Sequence, residues 1–139
     1  MKNKIILVSH GDLAKGMKNS VNMIIGNTDN CVDFCLQPGE SNIELANKVE
    51  DYIKKSGKNV YIIVADLLGG SVSNAVSRLN EINDVFLING MNSGLVISLL
   101  LESEKLNEQK IQNIVEESKK GIGLARLSDD NISNESDII

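Results

Sequence analysis

In 139 residues the chain has one histidine, one proline, two cysteines and no tryptophan. Aromatic residues make up only 3%, which leaves no stacking platform for nucleobases and little to hold a flavin. The formal net charge is -5. A nucleic-acid binder needs a basic footprint against phosphate, so no nucleic-acid partner is expected. No run approaches the 18 or more apolar residues of a membrane helix. Met1-Lys2-Asn3-Lys4 before Ile5 to Val8 has the charge of a signal-peptide start, but the apolar run is too short and no small-residue cleavage site follows. A cytoplasmic location is therefore expected. Cys31 and Cys35 on one strand would lie about 13 Å apart, beyond disulfide reach. With one histidine and no further cysteine they lack partners for a metal. They read as small hydrophobes, and no metal or other cofactor is expected.

What remains is an ordinary globular composition, 42% hydrophobic and 24% charged, of a length that suits one domain. Ile5-Ile6-Leu7-Val8 sits in a first strand over 4–9. Leu13, Met17, Val21, Ile24 and Ile25 recur at helical spacing after Asp12, a candidate N-cap, and Gly26-Asn27 ends that helix. A second strand over 31–36 stops at Pro38-Gly39, and Ser41 or Asn42 caps a second helix that reaches Gly57. Residues 60–65 form an unbroken apolar run, as in a buried parallel strand. A third helix over 72–79, a fourth strand over 85–88, and helices over 93–102 and 107–119 follow. A short apolar piece, 122–127, completes the pattern before an acidic, polar tail at 128–139, expected to be disordered. The alternation βαβαβαβααβ predicts an α/β fold, a single domain with a mainly parallel, doubly wound sheet.

Right-handed crossovers favour a strand order that begins 2-1-3-4. The ligand crevice then lies where the chain leaves strands one and three in opposite directions. His10 ends the first strand and Asp66 ends the third, so topology alone brings an imidazole and a carboxylate side by side. A carboxylate on one ring nitrogen fixes the tautomer and leaves the other nitrogen as a nucleophile. Gly69-Gly70-Ser71 follows Asp66 just before a helix. Alone it reads as a tight turn. Opposite His10 it also reads as an anion site, with backbone N–H groups and a hydroxyl as donors. Asp12 reads first as a helix cap. Asn89 and Asn92 read as turn residues, with Asn92 within possible reach of the crevice, and Arg78 as an outer residue of the third helix.

These pieces, taken in order, resemble a known family. Ile6-Leu7-Val8-Ser9-His10-Gly11, Pro38-Gly39-Glu40, Val64-Ala65-Asp66-Leu67-Leu68-Gly69-Gly70-Ser71 with Asn74-Ala75, and Gly90-Met91-Asn92 are similar to the IIA component of the mannose/fructose/sorbose class of the bacterial phosphoenolpyruvate-dependent sugar phosphotransferase system. The resemblance spans about residues 1–127. It implies a phosphotransferase with His10 phosphorylated and Asp66 orienting the ring. It further implies that Ser71 and the backbone of Leu67, Gly69 and Gly70 hold the phosphoryl group. The implied donor is the histidine-containing phosphocarrier protein and the implied acceptor is a IIB component. That component serves sugar uptake through membrane IIC and IID components. It also implies a homodimer that exchanges a C-terminal strand, a role that residues 122–127 fit. Val72, Leu68 and Ser93-Gly94 depart from the proline, aromatic and proline usual at those places; His10 and Asp66 do not depart.

Three alternatives stand beside this reading. A phosphocarrier that feeds a dihydroxyacetone kinase shares the fold and the early histidine. A receiver-type signalling domain would be phosphorylated on Asp66, but needs acidic residues after the first strand to hold magnesium and a later lysine, where this chain has Ser9-His10 and Ile88-Asn89. A binding module with a vestigial site would not need His10, Asp66 and Ser71 together.

Overall fold

The computed structural model describes residues 1–127. Four parallel strands form one sheet in the order β2-β1-β3-β4: β1 (Asn3–His10), β2 (Cys31–Leu36), β3 (Val60–Ala65) and β4 (Val85–Asn89). The predicted order 2-1-3-4 is the observed one. Five α-helices connect and flank the strands: α1 (Leu13–Ile25), α2 (Asn42–Ser56), α3 (Ser71–Val76), α4 (Ser93–Leu101) and α5 (Glu108–Lys119).

Side chains alternate across a strand, and the two central strands are apolar on both sides. Ile5 and Leu7 of β1 and Val60, Ile62 and Val64 of β3 pack with Ala14, Val21, Leu95, Val96, Leu99 and Ile111 from α1, α4 and α5. Ile6 and Val8, with Tyr61, Ile63 and Ala65, pack with Leu45, Ala46, Val49, Ile53, Val72 and Val76 from α2 and α3. That division is why 60–65 has no polar residue: every side chain of β3 is buried. Cutting Ile62 back to Ala would cost about 2–5 kcal/mol.

Some boundaries differ from the sequence reading. β1 runs through His10, whose Cα partner on β2 is Leu36, so the imidazole belongs to the last strand residue and not to the loop. The third helix starts at Ser71 and tightens into a 3-10 turn over Ser77–Glu81. Ser41 caps α2, its Oγ accepting from Glu44 N at 3.2 Å. Asp12 occupies the N-cap place of α1 but makes no side-chain capping bond. Residues 122–127 join no strand in this chain, and Ile122, Leu124 and Leu127 are exposed. The expected tail, 128–139, lies outside the described residues.

Candidate active site

Register places the site. Val8 pairs with Ala65, the last residue of β3, and β1 runs two residues further to His10, so His10 and Asp66, the residue that follows β3, meet at one end of the sheet. Asp66 Oδ2 accepts two N–H groups of His10, the backbone N at 2.9 Å and ring Nδ1 at 2.8 Å. The same oxygen thus holds both the start of the turn and the plane of the ring. The other carboxylate oxygen, Oδ1, is buried and has no hydrogen-bond partner among the described residues.

With Nδ1–H directed at Asp66, Nε2 carries the lone pair. Ser71 Oγ lies 3.0 Å from Nε2 and donates to it in this tautomer. The side chain of His10 is 46% exposed and that of Asp66 10%. The ring is therefore anchored from below and open above.

The loop between Asp66 and Ser71 follows from its glycines. Gly69 adopts φ +77°, the left-handed region where a side chain is strained. Gly70 has ordinary dihedrals, but a Cβ there would sit 3.3 Å from His10 Cε1 and 3.4 Å from Leu67 O. Its value is the absence of a side chain beside the ring. The Gly70 N–H is turned back on Leu67 O at 3.3 Å, so it serves the turn and does not point outward as the sequence reading assumed. Ser71, Val72 and Ser73 open α3, and the first N–H groups of a helix have no intrahelical acceptor. Asn74 Nδ2 holds Gly69 O at 3.3 Å, and Asn42 Nδ2 reaches Ser71 O at 3.4 Å. Leu67 and Leu68 stand exposed beside this loop.

Other residues singled out in the sequence lie apart. Asp12 Oδ1 accepts from Gln37 Nε2 at 2.7 Å. This clamps the β1 and β2 exits together, and the capping of α1 falls to Ser9, whose Oγ accepts from Ala14 N at 2.8 Å. Asn92 caps α4 by accepting from Leu95 N at 3.0 Å and donates to Gly90 O at 3.3 Å; its side chain is spent on its own turn. Asn89 accepts from Ser73 Oγ at 2.5 Å. Arg78 is bound to Glu50 at 3.0 Å and Asn47 at 2.8 Å. Its guanidinium, with the Lys54 ammonium, holds the Glu50 carboxyl below the usual carboxylate range. Ser9 and Ser73 are both buried; the sequence marks Ser9 only as a neighbour of His10 and does not mark Ser73, because a lone serine carries no signal of burial.

Chemically the row Ser71–His10–Asp66 can do two things. It has the connectivity of a serine-hydrolase triad, and it also presents an oriented imidazole nucleophile. A hydrolase serine works against a substrate cleft. Here the row lies on open surface beside exposed leucines, and the imidazole is the group on offer. Among the described residues no three His, Cys, Asp or Glu side chains converge as metal ligands, and no helix is long and apolar enough to cross a membrane.

A family model described as the fructose IIA component of the phosphotransferase system (PTS) matches residues 4–127. The chain belongs to that family. Solved structures agree with it in fold. The mannose/sorbose-specific IIA subunit from Enterococcus faecalis is 20% identical, with a TM-score of 0.84 over 93% of this chain and 98% of that one. The PTS IIA protein associated with the fucose utilization operon of Streptococcus pneumoniae is 25% identical, with a TM-score of 0.78 over 89% and 93%. The PTS component EIIA from Streptococcus agalactiae is 24% identical, with a TM-score of 0.75 over 87% and 95%. The protein is thus a IIA component of the mannose/fructose class, as its motifs suggested, and the receiver-type alternative falls away.

Proposed function

We propose that this IIA component is a phosphoryl carrier that takes the group onto His10 Nε2 from the histidine-containing phosphocarrier protein and passes it to a IIB component. The observation that carries this reading is the division of labour on one imidazole. Asp66 occupies Nδ1 at 2.8 Å, and Nε2 faces outward with only a serine hydroxyl at 3.0 Å.

The chemistry follows from that geometry. Nε2 attacks phosphorus in line as the donor's N–P bond breaks, and the donor imidazole leaves with the electron pair. The product ring on His10 is cationic, and the adjacent Asp66 carboxylate stabilises it. Ser71 Oγ–H, released from Nε2, donates to a phosphoryl oxygen. Transfer of this kind needs positioning and charge stabilisation more than covalent machinery. A docked protein over Leu67 and Leu68 would exclude water from the transferring group. The same reading places the protein in the cytoplasm. It also has two copies pair through residues 122–127 against the open edge of β4.

The test is incubation with phosphoenolpyruvate, enzyme I and the phosphocarrier, followed by mapping of the labelled residue. An acid-labile phosphate on His10, absent in His10→Ala, is expected. Undiminished labelling of His10→Ala sinks the assignment. Transfer onward to a kinase subunit and not to a IIB component would select the dihydroxyacetone branch.

A further inference from the structure

Among the described residues the buried polar side chains are Ser9, Thr28 and Ser73. Ser9 is fully buried and immediately precedes His10 on β1. Strand alternation sends its side chain to the face opposite the imidazole. There its hydroxyl is used twice: Oγ donates to Gly11 O at 3.0 Å and accepts from Ala14 N at 2.8 Å. The turn that carries His10 is thereby held at several points. Gly11 N donates to Leu36 O at 2.7 Å, Gly11 O is held by Ser9, and the His10 N–H is held by Asp66. Gly11 itself sits at φ +55°, a conformation that needs such support. Asp12 would be the ordinary cap of α1 but is engaged by Gln37, so Ser9 is the side chain that joins the turn to the helix.

We propose that Ser9 is a positioning residue for the transfer reaction. Its buried hydroxyl fixes the His10-Gly11-Asp12 turn, and so keeps the ring in the one orientation that satisfies Asp66 at Nδ1 and Ser71 at Nε2 together. This proposal rests on the carrier reading. The ring bonds span 2.8 and 3.0 Å on opposite nitrogens, so a small rotation of the turn breaks one of them. Positioning groups that never touch the reacting atoms act in this way. In Ser9→Ala the Gly11 carbonyl and the Ala14 amide lose their side-chain partner, and the ring gains freedom while Asp66 and Ser71 stay in place.

The experiment compares wild type, Ser9→Ala and Ser9→Thr in the full chain, with circular dichroism to confirm folding. One readout is the 15N spectrum of the His10 ring. Wild type should show a single Nδ1–H tautomer. Ser9→Ala should show a mixed or exchanging ring, and Ser9→Thr the wild-type pattern. The second readout is phosphoryl transfer from the phosphocarrier. Ser9→Ala should lose about tenfold in kcat with KM unchanged, and Ser9→Thr should recover it. A folded Ser9→Ala with the wild-type ring spectrum and rate overturns the proposal. So does a folded Ser9→Thr that recovers neither, because the loss then belongs to packing and not to the hydroxyl. If Ser9→Ala does not fold, Ser9→Cys, close in size but a weak donor, is read by the same criteria. Failure of the carrier reading is distinct: wild type itself would take no label from the phosphocarrier, while the ring spectra would still decide the part played by Ser9.

Discussion

Replacing Asp66 by Asn removes a charge while changing few atoms, and the structure sets the size of the effect. Oδ2 holds the ring N–H at 2.8 Å and the backbone N–H at 2.9 Å. The backbone bond is the same before and after transfer, so it does not alter the rate; only an interaction that strengthens on the way to the transition state does so. The ring bond strengthens, because the imidazole becomes cationic. Two opposite charges at that separation attract by roughly 6 kcal/mol at an effective dielectric constant of 20 and by about 1.5 kcal/mol in bulk water. Asp66 is nearly buried but the histidine is half open, with 10% and 46% of their side chains exposed, and solvent screens such a pair. An intermediate value of about 2–3 kcal/mol corresponds to roughly 30–150-fold in rate. The amide nitrogen of Asn must also occupy the place of Oδ1, which is buried and has no partner among the described residues, or flip and abandon the His10 N–H groups. Stability should therefore fall as well, by about 1–3 kcal/mol. The assay is rapid-quench transfer from the labelled phosphocarrier, with denaturant unfolding alongside. kcat should drop by roughly 30–150-fold while the label still maps to His10. A folded Asp66→Asn within about threefold of the wild-type rate, a difference of less than 1 kcal/mol, would refute the charge-stabilising role.

Gly70→Ala should fold normally, since its backbone is ordinary, yet slow transfer several-fold because the new methyl lies 3.3 Å from His10 Cε1; unshifted ring resonances with a wild-type rate would contradict this. Gly69→Ala, at φ +77°, should cost about 1–2 kcal/mol of stability, more than Gly70→Ala, and urea titrations giving the opposite ranking would count against the loop geometry. Ending the chain at Gly121 removes the exposed Ile122, Leu124 and Leu127, each of which would gain about 1.5–3 kcal/mol on burial, so sedimentation should show the proposed pairing of two copies in the full chain and its loss in the shortened one; a monomeric full chain, or unchanged assembly, would rule out the proposed strand exchange. Burial, partly opposed by the nearby Lys18, pushes the Cys31 thiol up to about 11. Because the thiolate is the reactive form, Cys31 in the folded protein should resist alkylation at pH 8 until denaturant is added, and prompt modification there would show that β2 opens.

The layout of the fold was legible because burial repeats. β3 has no polar residue, since it is covered on both faces, and that alone marks a central parallel strand. The amphipathic spacing of α1 and α2 marks helices that cover one face each. The ends were less legible because caps are decided by competition. Asp12 is as good a cap by type as Ser9, but Gln37, 25 positions away in sequence, takes its carboxylate. No local pattern contains that contact. The same holds for Asn92, whose type suits either a cap or a crevice, and which the start of α4 claims.

The site was legible in a different way. His10 and Asp66 are 56 positions apart, and what joined them was strand order, not proximity in sequence. Order 2-1-3-4 makes β1 and β3 neighbours, and the pairing of Val8 with Ala65 sets His10, two residues further along β1, beside Asp66. Spacing could not give the finer arrangement, in which a single carboxylate oxygen holds both the backbone and the ring of the histidine. That depends on β1 continuing through His10, so that the residue is rigid at its N–H as well as at its ring. A nucleophile on a strand end is better preorganised than one on a loop. It also makes the residue before it matter, because on a strand the neighbour of an outward-facing histidine must face inward. Ser9 is there because an apolar side chain at that place would leave the Gly11 carbonyl and the Ala14 amide without the partner that now joins the turn to the helix. The oriented imidazole and its buried support are therefore consequences of one strand register.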